Sequence, residues 1–270
     1  MKTFKTSSLE QFLTEFGRFC NSGDCYFRGQ PNAIWNITPS LARNKTDETI
    51  YNKIEDIEKI EEKLLTKFKE KVSDNDLENI MSIIPNSYHE SWQWMMGGQH
   101  YGLPTRLLDF SLDKYTALQF AVAELQYLNN DGVFIVYSNP NFIQEDVESP
   151  VLRGPFKPIN KSFFIQSISN LKKDNNEYRL SERRKFVQGS KFLYRETSKL
   201  RECLSLDNNH SHKLTKIDIP KELKLSLIEY LIDEKQFAFD IYAGENVIDY
   251  YAAILKNEFM NLSKEKIDEF

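Results

Sequence analysis

With 270 residues, 40% of them hydrophobic and 13% aromatic, the chain has enough apolar material for one large core and is excluded from the disordered and fibrous classes. A formal charge of -5 excludes a global basic field, so any polyanion would have to be met by a local patch. Three cysteines and four histidines fit no zinc or redox spacing, and no apolar run approaches the roughly 18 residues that cross a bilayer, so the sequence predicts a soluble, cytoplasmic protein without a structural metal.

In chain order, Ser7-Ser8-Leu9-Glu10 reads as a capping box opening a helix on which Leu9, Phe12, Leu13, Phe16 and Phe19 recur, up to the turn Asn21-Ser22-Gly23-Asp24. Cys25 to Gln30 is a short strand with aromatic residues near its start, closed by Gly29 and Pro31, which puts Arg28 near a strand end. From Asp47 to Val72, Ile50, Ile54, Ile57, Leu64, Leu65 and Phe68 form one apolar stripe among Glu and Lys residues, and the charges read as the solvated face of a long helix. After the turn Ile84-Pro85-Asn86, Trp92 to Met96 reads as a buried helix that breaks at Gly97-Gly98 and delivers a dense polar segment.

Ser111-Leu112-Asp113 is placed to cap a helix carrying Ala117, Leu118, Phe120 and Ala121, and Gly132 to Tyr137 has the length and β-branched content of a buried strand. A loop-rich insertion from Ser138 to Asn160 follows. Strands are then predicted at Phe163–Gln166, Phe186–Tyr194 and Leu214–Ile219, and helices at Lys221–Asp233 and Asn246–Leu255. No repeat or linker interrupts the pattern. The prediction is therefore a single α+β domain over 1–270, with a mixed or antiparallel sheet: helical 1–22, core 23–220, and a C-terminal helical segment 221–270.

Two short segments concentrate the chemistry. Arg28 beside Gly29 at a strand end suits an anion clamp, since a guanidinium offers a planar fork and glycine allows close approach; the competing reading has Arg28 paired with Asp109, pinning two loops together. The second segment gathers His100, Tyr101, Thr105, Arg106 and Asp109 within ten residues around Gly102 and Pro104, more polarity than packing explains, while Leu103, Leu107 and Leu108 read as core. His100 alone fits either a ligand contact or a satisfied buried imidazole. The most basic stretch contains Arg179, Arg183, Arg184, Lys185, Lys191 and Arg195. On a strand edge it could face a phosphate backbone or merely discourage aggregation.

Taken together, Tyr26-Phe27-Arg28-Gly29-Gln30, then Trp35, Pro39-Ser40-Leu41 and Arg43, then Gln99 to Asp109, Ala117-Leu118, Phe120-Ala121, Gln188-Gly189 and Phe192 resemble the FRG-domain family, with Phe110 where that family commonly shows tryptophan. The order of parts is also similar to the ADP-ribosyltransferase superfamily. That resemblance implies an NAD-consuming transferase of the bacterial toxin, toxin–antitoxin or antiviral-defence kind, with NAD as co-substrate and no metal. Arg28 would act on the first strand. Tyr26, Gly29, Gln30, His100, Tyr101, Thr105, Arg106 and Gln188 would bind NAD, and the acid would be Glu182 or Asp109, with Gln188 also able to serve its position. Arg183, Arg184, Lys185 and Lys191 would meet an RNA or DNA acceptor, a protein acceptor being the other choice, and an antitoxin protein is an implied partner. A binding module for a phosphate-bearing ligand or partner protein, or an NAD or nucleotide hydrolase, fits the same residues.

Overall fold

The computed structural model describes residues 1–19, 24–43, 54–72, 89–138, 162–166 and 190–234. Among them, seven strands form one sheet: β1 (Lys2–Phe4), β2 (Cys25–Gln30), β3 (Leu107–Ser111), β4 (Gly132–Ser138), β5 (Phe163–Gln166), β6 (Ser190–Tyr194) and β7 (Leu214–Ile219). Their order is β1-β7-β4-β2-β3-β6-β5. Only β1 and β7 run parallel, and every other neighbouring pair is antiparallel, so the sheet is mixed and the fold is α+β, as the sequence predicts.

Among the described residues, five helices of regular α geometry accompany the sheet: α1 (Leu9–Gly17), α2 (Ile54–Lys71), α3 (Glu90–His100), α4 (Lys114–Val122) and α5 (Lys224–Asp233). Strand alternation sorts the core into parts. Phe27, Phe134, Val136 and Ile217 turn to one side and meet α1, α4 and α5, while Leu107, Phe163, Ile165, Phe192 and Tyr194 pack against α2 and α3. Tyr26, Leu108, Phe110, Ile135, Tyr137, Phe164 and Leu193 form a third cluster, closed by Ile37 and Leu204 from the connecting segments.

Local chemistry explains the element boundaries. The cap of α1 lies one residue later than predicted: Ser8 accepts from the Gln11 amide at 3.3 Å and Gln11 Oε1 accepts from the Ser7 amide at 3.0 Å, so Gln11 rather than Glu10 closes the box. Asp113 caps α4 by accepting from Thr116 N at 2.8 Å. Gly97-Gly98 does not break α3, which runs on to His100 and ends where Gly102 takes φ 91°. Gly98 packs closely on Leu103, whose Cδ2 would lie 2.8 Å from a Cβ there and would have to shift to admit one. The charges of α2 are not all solvated either: Glu61 is fully buried and paired with Arg106. The predicted insertion from 139 onward, residues 186–189 of the predicted strand and the helix 246–255 lie outside the described residues. No helix among the described residues is long and apolar enough to cross a membrane.

Buried ionic groups tie the connections to the sheet. Lys224, fully buried on α5, donates from Nζ to the carbonyls of Pro31 and Tyr127, each at 2.7 Å. Arg195 donates to Asp207 Oδ2 at 2.7 Å and to Lys199 O at 2.9 Å. His210 shares a 2.8 Å hydrogen bond between Nδ1 and the Tyr137 hydroxyl. Burial pushes the His210 imidazole down to about 4, and the Arg195 charge adds to the effect.

A pH dependence follows from this. Native His210 stays neutral while the unfolded chain takes up a proton near the ordinary value of 6.5, so its contribution is intact above that pH and is lost as pH falls toward about 4. Urea midpoints measured from about pH 7 to about pH 5 should fall more steeply for the wild type than for His210→Asn. Equal slopes would remove the assignment.

Candidate ligand-binding cleft

The sheet is nearly divided between β2 and β3. Every residue of β2 pairs with β4, from Cys25 opposite Ser138 to Gln30 opposite Val133, and every residue of β3 pairs with β6, from Leu107 opposite Tyr194 to Ser111 opposite Ser190. Between β2 and β3 the ladder holds only at Phe27 opposite Ser111. Beyond that joint the strands separate, and a cavity of about 260 Å³ opens between Arg28, Gly29 and Gln30 on one wall and Asp109, Phe110 and Ser111 on the other. Gln99 and His100 at the end of α3 border it, together with Trp35 and Arg43 from the segment after β2, Phe120 of α4, Glu124 just beyond that helix, and Phe192 of β6.

Arg28 spans the opening, with Nη1 donating to the main-chain carbonyl of Asp109 at 2.6 Å. Burial, assisted by the nearby charge of Arg43 and opposed by Asp109, pushes the Arg28 guanidinium down to about 10, so it remains cationic at neutral pH. Its Nε has no hydrogen-bond partner among the described residues. Arg43 is anchored through Nε and Nη2, both donating to Thr38 O at 3.0 and 2.6 Å, and burial likewise lowers its value. Two guanidinium groups disfavour each other in one cleft, and an anion bound between them would relieve that repulsion.

The acid side is framed just as specifically. Gln99 Nε2 donates to Asp109 Oδ2 at 2.8 Å, and Gln99 Oε1 accepts from the buried Thr105 hydroxyl. Thr105 is in turn fixed by Ser40, whose Oγ accepts from the Thr105 amide at 3.2 Å, and by the Leu41 amide, which donates to the Thr105 carbonyl at 3.1 Å. The carboxylate of Asp109 is thus oriented by a chain of side chains running back to the turn that carries Arg43.

Of the residues the sequence nominates, Arg28, Gly29, Gln30, His100 and Asp109 come together at the cleft. Thr105 acts behind it, through Gln99. Tyr26 and Tyr101 are buried in hydrophobic clusters away from the wall. Arg106 turns into the core: its Nε meets Glu61 Oε2 at 2.5 Å, its amide donates to Glu61 Oε1 at 2.9 Å, and its Nη1 donates to the Tyr194 hydroxyl at 2.9 Å. Lys191, expected on an exposed basic edge, is buried on β6, which has β3 on one side and β5 on the other. Glu182, Arg183, Arg184, Lys185 and Gln188 lie outside the described residues. Gly29 serves packing before chemistry, because a Cβ there would stand 1.9 Å from Ala117 O on α4.

The sequence reading gave no site role to Arg43, Trp35, Phe120 or Glu124. Phe120 sits on the helix the sequence already predicts, whereas Glu124 lies beyond the helix end at Val122 with extended backbone, where helical spacing gives no signal. Among the described residues no three His, Cys, Asp or Glu side chains gather as a metal centre.

A mixed sheet parted beyond one joint, with arginines, carboxylates, amides and aromatic rings bordering the gap, defines an α+β protein with a polar cleft. Residues 23–129 match the family model described as FRG domain, and the chain carries an FRG domain over that stretch. No curated protein and no solved structure matches the chain. The matched stretch supplies β2, β3, α2, α3 and α4, so most of the cleft, while β1, β4, β5, β6 and β7 complete its sheet from outside.

Proposed function

We propose that the chain is an NAD-dependent ADP-ribosyltransferase of the bacterial toxin or phage-defence type, acting in the cytoplasm on a nucleic acid or protein acceptor. The observation that carries this reading is the joint presence, in one cleft, of two guanidinium groups, two carboxylates and aromatic walls. NAD brings a diphosphate and an aromatic ring, and its glycosidic bond breaks with positive charge developing on the ribose, so a site for it needs groups of both signs. Arg28 and Arg43 hold the phosphates. Trp35 and Phe120 offer ring surfaces. Asp109, fixed by Gln99, and Glu124 are the described carboxylates placed to stabilise the developing cation, and Glu182 remains a further candidate for that role. With Lys191 buried, the lean toward a nucleic acid rests on Arg183, Arg184 and Lys185.

The test is incubation of labelled NAD with the purified protein and total cell extract. Label should enter RNA, DNA or protein, and Arg28→Ala should reduce transfer by roughly ten- to a hundredfold, the worth of a charge-assisted contact, with little change in melting temperature. Arg28→Lys should rescue poorly, because a point charge does not replace the fork. Label found only in free ADP-ribose would make the protein a hydrolase. No consumption of NAD, with binding of phosphate-bearing ligands retained, would make it a binding module.

A further inference from the structure

Gln30 is the last residue of β2 and only 2% exposed, yet among the described residues neither its side-chain oxygen nor its side-chain nitrogen has a hydrogen-bond partner. A buried amide with both halves unsatisfied is disfavoured, and an apolar side chain of the same length would fill the space without that cost. The residue borders the cleft. Strand alternation also places it on the same face as Arg28, two residues and roughly 7 Å away, and Arg28 Nε is likewise buried and unpartnered. Two unsatisfied polar groups on one strand face at the same cavity mark a surface built to be completed by a ligand.

We propose that Gln30 is the specificity-determining residue of the cleft and reads a planar group presenting a hydrogen-bond donor beside an acceptor. A primary carboxamide satisfies both halves of the glutamine amide through paired N–H···O bonds, and the amino edge of adenine does the same. Arg28, one pleat back, then takes the oxygen-rich part of the same molecule. This deepens the NAD reading, since nicotinamide and adenine each carry such an edge, but its chemistry concerns the cleft itself and is tested apart from NAD.

The probes are benzamide against benzoate and adenosine against purine riboside, which lacks the 6-amino group, titrated by calorimetry into the wild type, Gln30→Met and Gln30→Glu, with intact NAD run alongside. The wild type should prefer the amide, or the aminopurine, by roughly ten- to a hundredfold, as expected of a bidentate pair. Arg28 and Arg43 would favour benzoate, so a preference for benzamide does not come from charge. Which pair discriminates tells which edge is read. Gln30→Met should erase the preference and melt at or above the wild-type temperature, because an unsatisfied amide has been removed; Gln30→Glu should weaken benzamide and adenosine.

An unchanged preference in Gln30→Met, absence of any preference in the wild type, or a clear fall in the Gln30→Met melting temperature would overturn the proposal. Discrimination among the small probes without NAD binding would leave Gln30 its role and remove the NAD reading. NAD binding with no effect of Gln30→Met would do the reverse.

Discussion

Gly29→Ala is expected to prevent the chain from reaching its native fold. The added methyl would stand 1.9 Å from the carbonyl oxygen of Ala117 and 2.6 Å from the amide nitrogen of Ala121, both of them backbone atoms of α4. No rotamer change relieves contacts of that kind, so the helix itself must move. It is held on several sides: Asp113 caps it, Ala117, Leu118, Ala121 and Val122 are wholly buried against β2 and β4, and a methyl on Gly132 would meet Ala121 O at 2.7 Å. Overpacking of a core ordinarily costs about 1–3 kcal/mol and occasionally more; a backbone collision between a central strand and its covering helix lies beyond that range, on the scale of a domain's whole stability of about 5–15 kcal/mol. Soluble yield and thermal melting provide the measurement, with Gly17→Ala as the control, since nothing lies within 4 Å of a Cβ there. A Gly29→Ala protein that melts with the wild type would show that α4 can shift on the sheet at little cost.

Arg106→Met should be nearly as damaging, for an electrostatic reason. Both members of the Arg106–Glu61 pair have side chains with 0% exposure, and removal of the cation would strand a carboxylate that burial alone already drives toward protonation. Breaking a buried pair from one side costs about 3–5 kcal/mol, so the urea midpoint should fall sharply with little change in slope. The double variant Arg106→Met with Glu61→Leu should recover part of the loss, because two apolar side chains leave no orphaned charge. A single variant that unfolds like the wild type but no longer binds NAD would return Arg106 to the ligand site, where the sequence reading first placed it.

The contrast between Arg106 and Asp109 shows where sequence reasoning stops. Strands β2, β5 and β7 fall within the predicted bounds and Asp113 caps α4 as expected, because short-range alternation and capping chemistry decide those features. The central polar segment is different. Arg106 precedes β3 and meets a partner 45 residues earlier in the chain, and nothing local to it distinguishes a core arginine from a ligand-facing one. The missing information was on α2. Glu61 follows Ile57 by four residues and precedes Leu64 by three, which puts it on the apolar stripe itself; read as a position rather than as a charge, it called for a buried cation somewhere else. Gly29 illustrates a second limit. Its sequence context suggested close approach of a ligand, whereas the approach it permits is that of α4, and only the helix position tells the two apart.

Lys224 carries a consequence for how such a protein can be rearranged. Its ammonium lies beyond the FRG stretch yet grips Pro31 near one end of that stretch and Tyr127 near the other. The unit that sequence comparison recognises is therefore not the unit that folds. Grafted into a different host without α5, residues 23–129 would arrive with two main-chain carbonyls deprived of their common donor and with β2 deprived of its β4 neighbour. Recombination that keeps the cleft intact must carry β4 and the later helix with it, so the boundaries along which this protein can be exchanged are set by a strand ladder and a buried amine and not by the edges of its recognisable motif.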